Sequence, residues 1–342
     1  MRFFSDNTAS ACPEVMAALA AVNHGRVKAY GSDEWTARLD GVFSEFFGKE
    51  VRVFVVGTGT AANSLSIATL SPPYGAVFAN PEAHIVRDEC GAPEFFSHGA
   101  RIVLVPGPNG KVTPAGLEAA LEDNPPTVHT VQPAVLSITQ ATEFGTSYRP
   151  DEVAALSEVA RRYNLKVHMD GARFANALAF LDCAPADVTW RAGVDVLSFG
   201  ATKNGALAAE AVVFFDTSLV RDFELRRKRA GHLISKSRFV SAQLLAYIET
   251  GVWKRNATWA NDLARRIGAA GTAALMHPVE ANEVFLRLGA ARKQKLRTAG
   301  FEFYDWASER SGEARFVVSW DQPEEDVTAL CRALADGGVA TR

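Results

Sequence analysis

The sequence has few cysteines and no long apolar run. Its four cysteines are scattered over 342 residues and form no Cys-x-x-Cys pair, which argues against a metal site or a redox motif. Scattered thiols fit a reducing compartment. No apolar run approaches the roughly 18 residues of a membrane-spanning helix, and the N-terminal stretch lacks the apolar core of a signal peptide. We therefore expect a soluble, cytoplasmic protein without a metal site.

An excess of positive charge is also missing. The chain carries 36 Lys and Arg against 39 Asp and Glu, a formal net charge of −3, and this balance argues against a nucleic-acid partner. A hydrophobic fraction of 48% and a charged fraction of 22% are ordinary for a globular protein. The length suits one large domain and a smaller one.

Strand-type and helix-type segments alternate along most of the chain. The helical segment RPDEVAALSEVARRYN separates the strand candidates TVHTVQPAVLSI and LKVHMDG, and further candidates are VRVFVVG, ARIVLVPG, VDVLSFG and AEAVVFF. This rhythm predicts an α/β fold with a sheet rich in parallel strands. After about residue 250, short strand candidates such as EANEVFLRL and ARFVVSW indicate a smaller α+β domain. We place the large domain at 1–250 and the small C-terminal domain at 251–342.

The stretch VDVLSFGATKNG ends an apolar strand candidate with one lysine, Lys203. Ligands of α/β sheets bind at the carboxyl ends of strands. One interpretation is a lysine whose apolar stem lies along the protein while its charge stays in water. The other is a partly desolvated amine that loses its proton and attacks a cofactor carbonyl.

Two further motifs precede Lys203 in the chain. In HMDGAR, Asp170 follows a strand candidate; it either caps the next turn through backbone N–H groups or stays ionised against a buried cation such as a protonated pyridine nitrogen. In GTGTAAN, residues 57–63, small residues either form a plain turn or let the N-terminus of a helix approach a phosphate. The order of glycine-rich turn, aspartate and lysine is the order that pyridoxal phosphate requires in one fold.

The chain resembles the threonine aldolase family, within the fold type I (aspartate aminotransferase-like) pyridoxal phosphate enzymes. The resemblance runs essentially from end to end. It is carried by FFSDNTASACPEVMAAL, YGSDEWTARLDGVFSEFFG, GTGTAANSLSI, EAHIVRDECGAPEF, VHMDGARFANA, SFGATKNGAL and RFVVSW. It implies a large domain with a mostly parallel seven-stranded sheet flanked by helices, a smaller C-terminal α+β domain, and pyridoxal 5′-phosphate as cofactor.

The resemblance also implies roles for residues around the cofactor. Lys203 would bond covalently to the cofactor aldehyde, and Asp170 would hold the pyridinium nitrogen. Gly59 and Thr60 would bind the phosphate. His84 would stack on the pyridine ring and is a candidate general base, although it could instead be a capped loop histidine.

A second group of implied roles concerns the substrate and a neighbouring subunit. Ser5, Arg173 and Arg315 would hold the substrate carboxylate, with Arg173 also counted among the cofactor-binding residues; Arg315 could instead be a solvated charge at a strand end. Lys228 matches a lysine that reaches the phosphate of a neighbouring subunit's cofactor, although it lies in the basic run RRKR, which is usually solvated. Tyr30 matches a residue of that shared site, and we count it as substrate-binding.

The end of the strand candidate that precedes Asp170 departs from the family. Many members have Glu-Asn-Thr-His where this chain has Ser137-Ile138-Thr139-Gln140. Glutamine exchanges hydrogen bonds but takes no proton near neutral pH. The change resembles the branch that includes phenylserine aldolases, so we expect Gln140 and Ile138 to line a pocket for a bulky β-substituent and 3-phenylserine to be cleaved better than threonine.

The resemblance predicts an aldehyde-lyase that splits L-threonine, L-allo-threonine or a 3-aryl-L-serine into glycine and an aldehyde. Its partners would be a small β-hydroxy amino acid and further copies of itself, as a homotetramer or a dimer with shared sites. A β-eliminating lyase of the same fold is the nearest alternative. A catalytically silent protein that binds pyridoxal phosphate is the alternative from another class.

Overall fold

The computed structural model describes residues 1–308 and 310–335, which contain two β-sheets. The strands of the large sheet are Arg52–Val56 (β1), Gly75–Ala79 (β2), Arg101–Leu104 (β3), Gln132–Thr139 (β4), Lys166–Gly171 (β5), Val196–Gly200 (β6) and Glu210–Phe214 (β7). Those of the small sheet are Glu283–Arg287 (β8), Tyr304–Asp305 (β9) and Glu313–Val317 (β10).

The large sheet is mostly parallel, as the sequence predicts. Its strand order is β1-β7-β6-β5-β4-β2-β3, and only β7 runs antiparallel to its two neighbours. Asp170 on β5 lies opposite Ser198 on β6. The carboxyl ends of these two strands therefore lie side by side, which is where a ligand of such a sheet binds.

Helices cover both faces of the large sheet and also pack against the small sheet. They are Pro13–Val22 (α1), Glu34–Phe47 (α2), Gly59–Leu70 (α3), His84–Arg87 (α4), Ala92–Phe96 (α5), Pro114–Asp123 (α6), Pro150–Arg162 (α7), Phe174–Leu181 (α8), Val220–Arg229 (α9), Arg238–Glu249 (α10), Val252–Ala270 (α11), Ala290–Thr298 (α12) and Glu324–Ala335 (α13).

Alternate residues of each strand enter two separate cores. On β1, Val53 and Val55 pack with α1, α2, α7 and α10, whereas Phe54 and Val56 pack with α3 and α9. This alternation follows from the period of two in a β-strand. Because α3 is enclosed on nearly every side, its N-terminus is held rigidly at the carboxyl edge of the sheet.

The small antiparallel sheet has the order β8-β10-β9 and packs against α11, α12 and α13. Phe3 joins this core, and its backbone bonds to Glu302 and Val317. The first residues of the chain thus lie with the C-terminal sheet, a long-range contact that the predicted division at residue 250 does not include. That division remains a prediction.

The strands differ from the sequence expectation at three places, one of which is the two-residue strand β9, which lies in no strand candidate. The apolar stretch of β2 lies between SPPY and NPE and was not among the strand candidates, because a run of five buried residues has no alternation to identify it. Strand β4 begins at Gln132, since Thr130 folds back to the carbonyl of Pro125 and makes the preceding residues a turn. No helix in residues 1–308 or 310–335 is both long and apolar enough to cross a membrane.

Candidate active site

A cavity of about 280 Å³ lies at the carboxyl ends of β5 and β6. It is lined by Asn7, Gly57, Thr58, Gly59, Thr60, Asn63, His84, Asp170, Ala172, Thr202, Lys203, Ala208 and Glu210. The fold therefore brings together five of the residues that the resemblance places around the cofactor, Gly59, Thr60, His84, Asp170 and Lys203, although they come from four separate parts of the chain.

Lys203 lies in a single 3-10 turn, Thr202–Asn204, directly after β6. The turn is held by Asn204, whose amide bonds to the Tyr247 hydroxyl and the Trp253 carbonyl. Lys203 is half-buried, and within residues 1–308 and 310–335 its amine makes no hydrogen bond or ion pair. Its interaction partner is therefore expected to be a molecule that enters the cavity.

Asp170 is buried at the end of β5, where it lines the same cavity. One carboxylate oxygen accepts the N–H of Ala172 at 3.0 Å and the other accepts the Asn63 amide at 2.8 Å. No lysine or arginine of the described chain lies within 4.0 Å of it. A buried carboxylate without a cation beside an open cavity fits a cationic ligand atom.

His84 begins helix α4 and is oriented by a buried glutamate. Its Nδ1 lies 2.8 Å from Oε1 of Glu89, and the same oxygen accepts the Asn63 amide at 2.8 Å. The hydrogen bond to Glu89 raises the pKa of His84 above its ordinary value, although burial opposes the shift. Glu89, Asn63 and Asp170 thus form one polar network beneath the cavity.

The N-terminus of α3 forms another wall of the cavity. The Thr58 side-chain oxygen accepts the N–H of Ala61 and so caps the helix. The N–H groups of Gly59 and Thr60 remain free at this end. A Cβ atom on Gly59 would meet no protein atom nearer than an oxygen of Glu210 at 3.9 Å. Free N–H groups at the N-terminus of this twelve-residue helix favour the binding of a phosphate group.

Together these groups fit pyridoxal phosphate. The cavity offers an unpaired amine for the aldehyde, a carboxylate without a cation for the pyridine nitrogen, and free helix N–H groups for the phosphate. Lys203, Asp170, Gly59 and Thr60 are the residues that would hold the cofactor.

Arg173 does not line this cavity. It is buried at the start of α8, where Nε and Nη2 donate to both oxygens of Asp6 and Nη1 lies 3.2 Å from Glu283. The charges of Asp6 and Glu283 raise the pKa of Arg173 despite burial. In this structure the Arg173 guanidinium is paired with two carboxylates of the chain, and its role at the substrate carboxylate or the cofactor stays a prediction.

Arg315 and Ser5 lie near the predicted site without lining its cavity. Arg315 lines a second cavity of about 490 Å³ and packs over the rings of Tyr304 and Trp306, and its Nε is buried without a hydrogen bond. Ser5 caps the short turn Asp6–Thr8, which presents Asn7 to the first cavity.

Gln140 has a structural position instead of the expected one in the pocket. It is fully buried, its amide donates to the Tyr148 carbonyl, and its carbonyl accepts the Tyr148 N–H, both at 2.8 Å. Ile138 is likewise buried in the core of the large domain. Neither side chain lines the cavity in this structure, and the place of these two residues in the substrate pocket stays a prediction.

We expect Gln140→Ala to lower the free energy of unfolding by roughly 1–3 kcal/mol, because it leaves the buried N–H and carbonyl of Tyr148 without partners. The ratio of kcat/KM values for threonine and 3-phenylserine should stay unchanged. Urea denaturation and steady-state kinetics measure the two effects, and Gln132→Ala, at the partly exposed start of β4, is the control. A changed substrate ratio with unchanged stability would return Gln140 to the pocket.

Tyr30 and Lys228 lie together on the surface, away from the cavity. The Lys228 ammonium is 5.1 Å from the centre of the Tyr30 ring, and Tyr30 is 53% exposed. Neither residue lines the cavity of its own chain. Their roles at a shared site remain predictions.

Sequence reasoning missed four acidic residues and one amide around the site. They are Asp6, Asn63, Glu89, Glu210 and Glu283. Two weak signals existed: Asn63 lies four residues after Gly59 on one helix face, and Glu89 lies five residues after His84. Asp6, Glu210 and Glu283 contact residues far away in the sequence, and a local sequence pattern cannot predict such contacts.

Comparisons with known proteins agree with this geometry. The family model described as beta-eliminating lyase matches residues 2–291. A low specificity L-threonine aldolase of a Pseudomonas species is 46% identical over 334 residues, 96% of this chain and 95% of the relative. One of Pseudomonas aeruginosa is 46% identical over 338 residues, 97% of this chain and 96% of the relative.

A solved threonine aldolase structure from Leishmania major superposes with a TM-score of 0.92 at 26% identity, and the match covers 98% of both chains. Fold, cavity and relatives agree, and pyridoxal phosphate is the cofactor that the fold family implies. The chain belongs to the threonine aldolases, within the family of beta-eliminating lyases.

Proposed function

We propose that this protein is a pyridoxal phosphate-dependent aldolase that cleaves the Cα–Cβ bond of β-hydroxy amino acids and releases glycine and an aldehyde. The observation that carries the proposal is the convergence of Lys203, Asp170 and a glutamate-bound His84 on one cavity. The relatives named low specificity L-threonine aldolase support L-threonine as a substrate, and we include L-allo-threonine in the proposal.

The residues of the chain divide the work by their chemistry. Bound pyridoxal phosphate supplies an aldehyde for the substrate amine and a ring that withdraws electrons from Cα. Lys203 would hold the cofactor through its amine, and Asp170 would favour a proton on the pyridine nitrogen. The free N–H groups of Gly59 and Thr60 hold the phosphate.

His84 removes the proton of the β-hydroxyl group. Because Glu89 lies at Nδ1 of its ring, the proton of the neutral ring stays on that nitrogen and Nε2 is left with a free electron pair. The same hydrogen bond raises the pKa of His84 and makes it a stronger base. Glu89 is thus a positioning residue, and Asn63 connects it to Asp170.

The preference for 3-phenylserine stays a prediction. It depended on Gln140 and Ile138, and both are buried away from the cavity. We keep 3-phenylserine as a substrate to be measured beside threonine.

Product analysis of the holoenzyme tests the proposed reaction. With L-threonine, we expect glycine and acetaldehyde in equal amounts. A β-eliminating lyase would release ammonia and 2-oxobutanoate, and a silent binding protein would release neither while still binding the cofactor. Either result would overturn the proposal and would identify which alternative holds.

The two arginines are expected to differ in their effects. Arg173→Ala leaves Asp6 buried without its cation and leaves Glu283 with only Arg315 at 3.9 Å, which should destabilise the fold by roughly 3–5 kcal/mol. Arg315→Ala should preserve the fold and lower kcat/KM through weaker carboxylate binding. The decrease should correspond to a loss of roughly 1.5–3 kcal/mol in transition-state stabilisation.

Thermal denaturation and kinetics separate these outcomes. Arg191→Ala, which removes a surface ion pair with Asp187, is the control and should change stability by less than about 1 kcal/mol. A stable Arg173→Ala variant with a raised KM would instead place Arg173 at the substrate.

We further propose a homodimer or homotetramer whose sites are shared between subunits. The exposed pair of Lys228 and Tyr30 supports this, since the pair lies outside the cavity of its own chain. Mixing subunits with Lys203→Ala and subunits with Lys228→Ala should restore activity to about a quarter of the parent level, because about half of the dimers are hybrids with one complete site. If Lys228 serves its own chain, mixing should restore nothing.

We also propose a cytoplasmic location. All four cysteines are free in the structure, and free thiols persist in a reducing compartment. Cell fractionation with an antibody against the protein tests this location.

A further inference from the structure

Glu210 is a buried carboxylate on the wall of the cavity that the proposed reaction does not use. It begins β7, where it pairs with Val56 on β1 and Gly200 on β6. Its side chain faces the first turn of α3, with Oε2 3.9 Å from the position of a Cβ on Gly59. The carboxylate therefore lies beside the N–H groups expected to hold the cofactor phosphate.

The groups around Glu210 do not neutralise it. Lys203 and Asp170 act on it with opposite charges, and it hydrogen bonds to Thr202. Behind the glycine turn, His232 accepts the N–H of Gly57 at 3.2 Å, and Arg227 donates to the carbonyl of His232. No cation of the described chain forms an ion pair with Glu210 within 4.0 Å. Burial raises the pKa of Glu210 to about 7.

An ionised Glu210 and a bound phosphate oppose one another. A phosphate monoester is mostly a dianion near neutral pH, since its second pKa is about 6. A carboxylate at the same helix end repels that dianion and competes for the same donors. A protonated carboxyl group instead offers an O–H donor to a phosphate oxygen.

We propose that Glu210 takes up a proton from solvent when the cofactor binds and then donates its O–H to the phosphate, so that phosphate affinity is coupled to pH. This inference rests on the cofactor of the family and does not depend on which bond of the substrate is cleaved. The protonation step is balanced, because one proton leaves the buffer and one O–H bond forms on the carboxyl group of Glu210.

Binding of pyridoxamine 5′-phosphate to the apoprotein tests the coupling. This ligand has no aldehyde and cannot bond to Lys203, and pyridoxamine, which lacks the phosphate, is its matched control. Calorimetric titration in buffers of different ionisation enthalpy counts the protons taken up. The variants are Glu210→Gln and, as a control, Glu122→Gln on the exposed face of α6.

At about pH 8.5, wild type should take up close to one proton more than Glu210→Gln on binding the phosphate ligand. Its affinity relative to Glu210→Gln should fall about tenfold for each pH unit above about 7, because one proton is linked to binding. Glu122→Gln should behave as wild type, and pyridoxamine should show no difference between the proteins.

Equal proton uptake by wild type and Glu210→Gln would overturn the proposal. So would a loss of affinity in Glu210→Gln at every pH, which would mean that the ionised carboxylate is needed, for example against a cation of a neighbouring subunit. Should Glu210→Gln fail to fold, infrared difference spectra of wild type decide the question. Binding of pyridoxamine 5′-phosphate to the apoprotein must then produce the carbonyl stretch of a protonated carboxyl group. The absence of this band would contradict the proposal.

Discussion

Lys203→Ala is expected to reduce glycine formation to the background of the assay while leaving the fold intact. The turn that carries Lys203 is fixed by other groups: Asn204 bonds to Tyr247 and Trp253, and Asn256 donates to the carbonyl of Asn204. The lysine side chain itself bonds to no described residue, so its loss removes only the amine that anchors the cofactor.

Borohydride reduction of the holoenzyme, followed by peptide mapping, provides the direct measurement. The pyridoxyl label should appear on the peptide that contains Lys203 and be absent in Lys203→Ala. Lys254→Ala, at a surface ion pair with Asp182, is the control and should retain label and activity. A label on another lysine would remove Lys203 from its assigned role.

His84→Asn is expected to lower kcat by roughly 10²–10⁴, the usual contribution of a positioned acid–base group. Asparagine keeps a hydrogen-bond donor for Glu89 but cannot accept a proton. His129→Asn, on an exposed loop, is the control and should match the parent. Turnover of His84→Asn within a few-fold of the parent would leave His84 only a role in ring stacking or loop structure.

The pH profile gives a sharper test of the His84 base. A base must be neutral to act, so kcat/KM should rise with pH through the pKa of His84, which the hydrogen bond to Glu89 raises. Glu89→Gln removes the carboxylate, lowers the pKa of His84 and should shift the acidic limb to lower pH, with a reduced plateau. The charges of Asp170 and Glu143 remain and limit the size of the shift. If the acidic limb of the kcat/KM profile does not move in Glu89→Gln, a group other than His84 causes it.

Much of the large domain could be predicted from local pattern. The glycine-rich turn before α3, the strand end at Asp170 and the lysine after β6 were each recognisable, because apolar strands and small-residue turns leave signals within a few residues. Strand β2 left no such signal. The meeting of Gly59, Asp170 and Lys203 followed from the rule that parallel strands present their carboxyl ends at one edge.

The hydrogen-bond and ion-pair partners of the side chains could not be predicted from local pattern. Arg173 was expected to face a substrate and instead binds Asp6 and Glu283, which lie 167 and 110 residues away in the chain. Gln140 was expected in the pocket and instead holds the backbone of Tyr148. The type of a residue determines which bonds its side chain can make. Which partner it bonds to depends on packing across the whole fold.

The sequence by itself determined the fold class, the family and the groups that carry the chemistry, because these follow from local periodicity and from the identities of Lys203, Asp170 and His84. Only the tertiary structure decided which groups are buried, paired or free. Burial and pairing set the charge of a carboxyl group and the basicity of an imidazole, and they depend on residues far apart in the chain. For this reason Glu89 beside His84 and Glu210 beside Gly59 became visible only once the strands and helices were assembled.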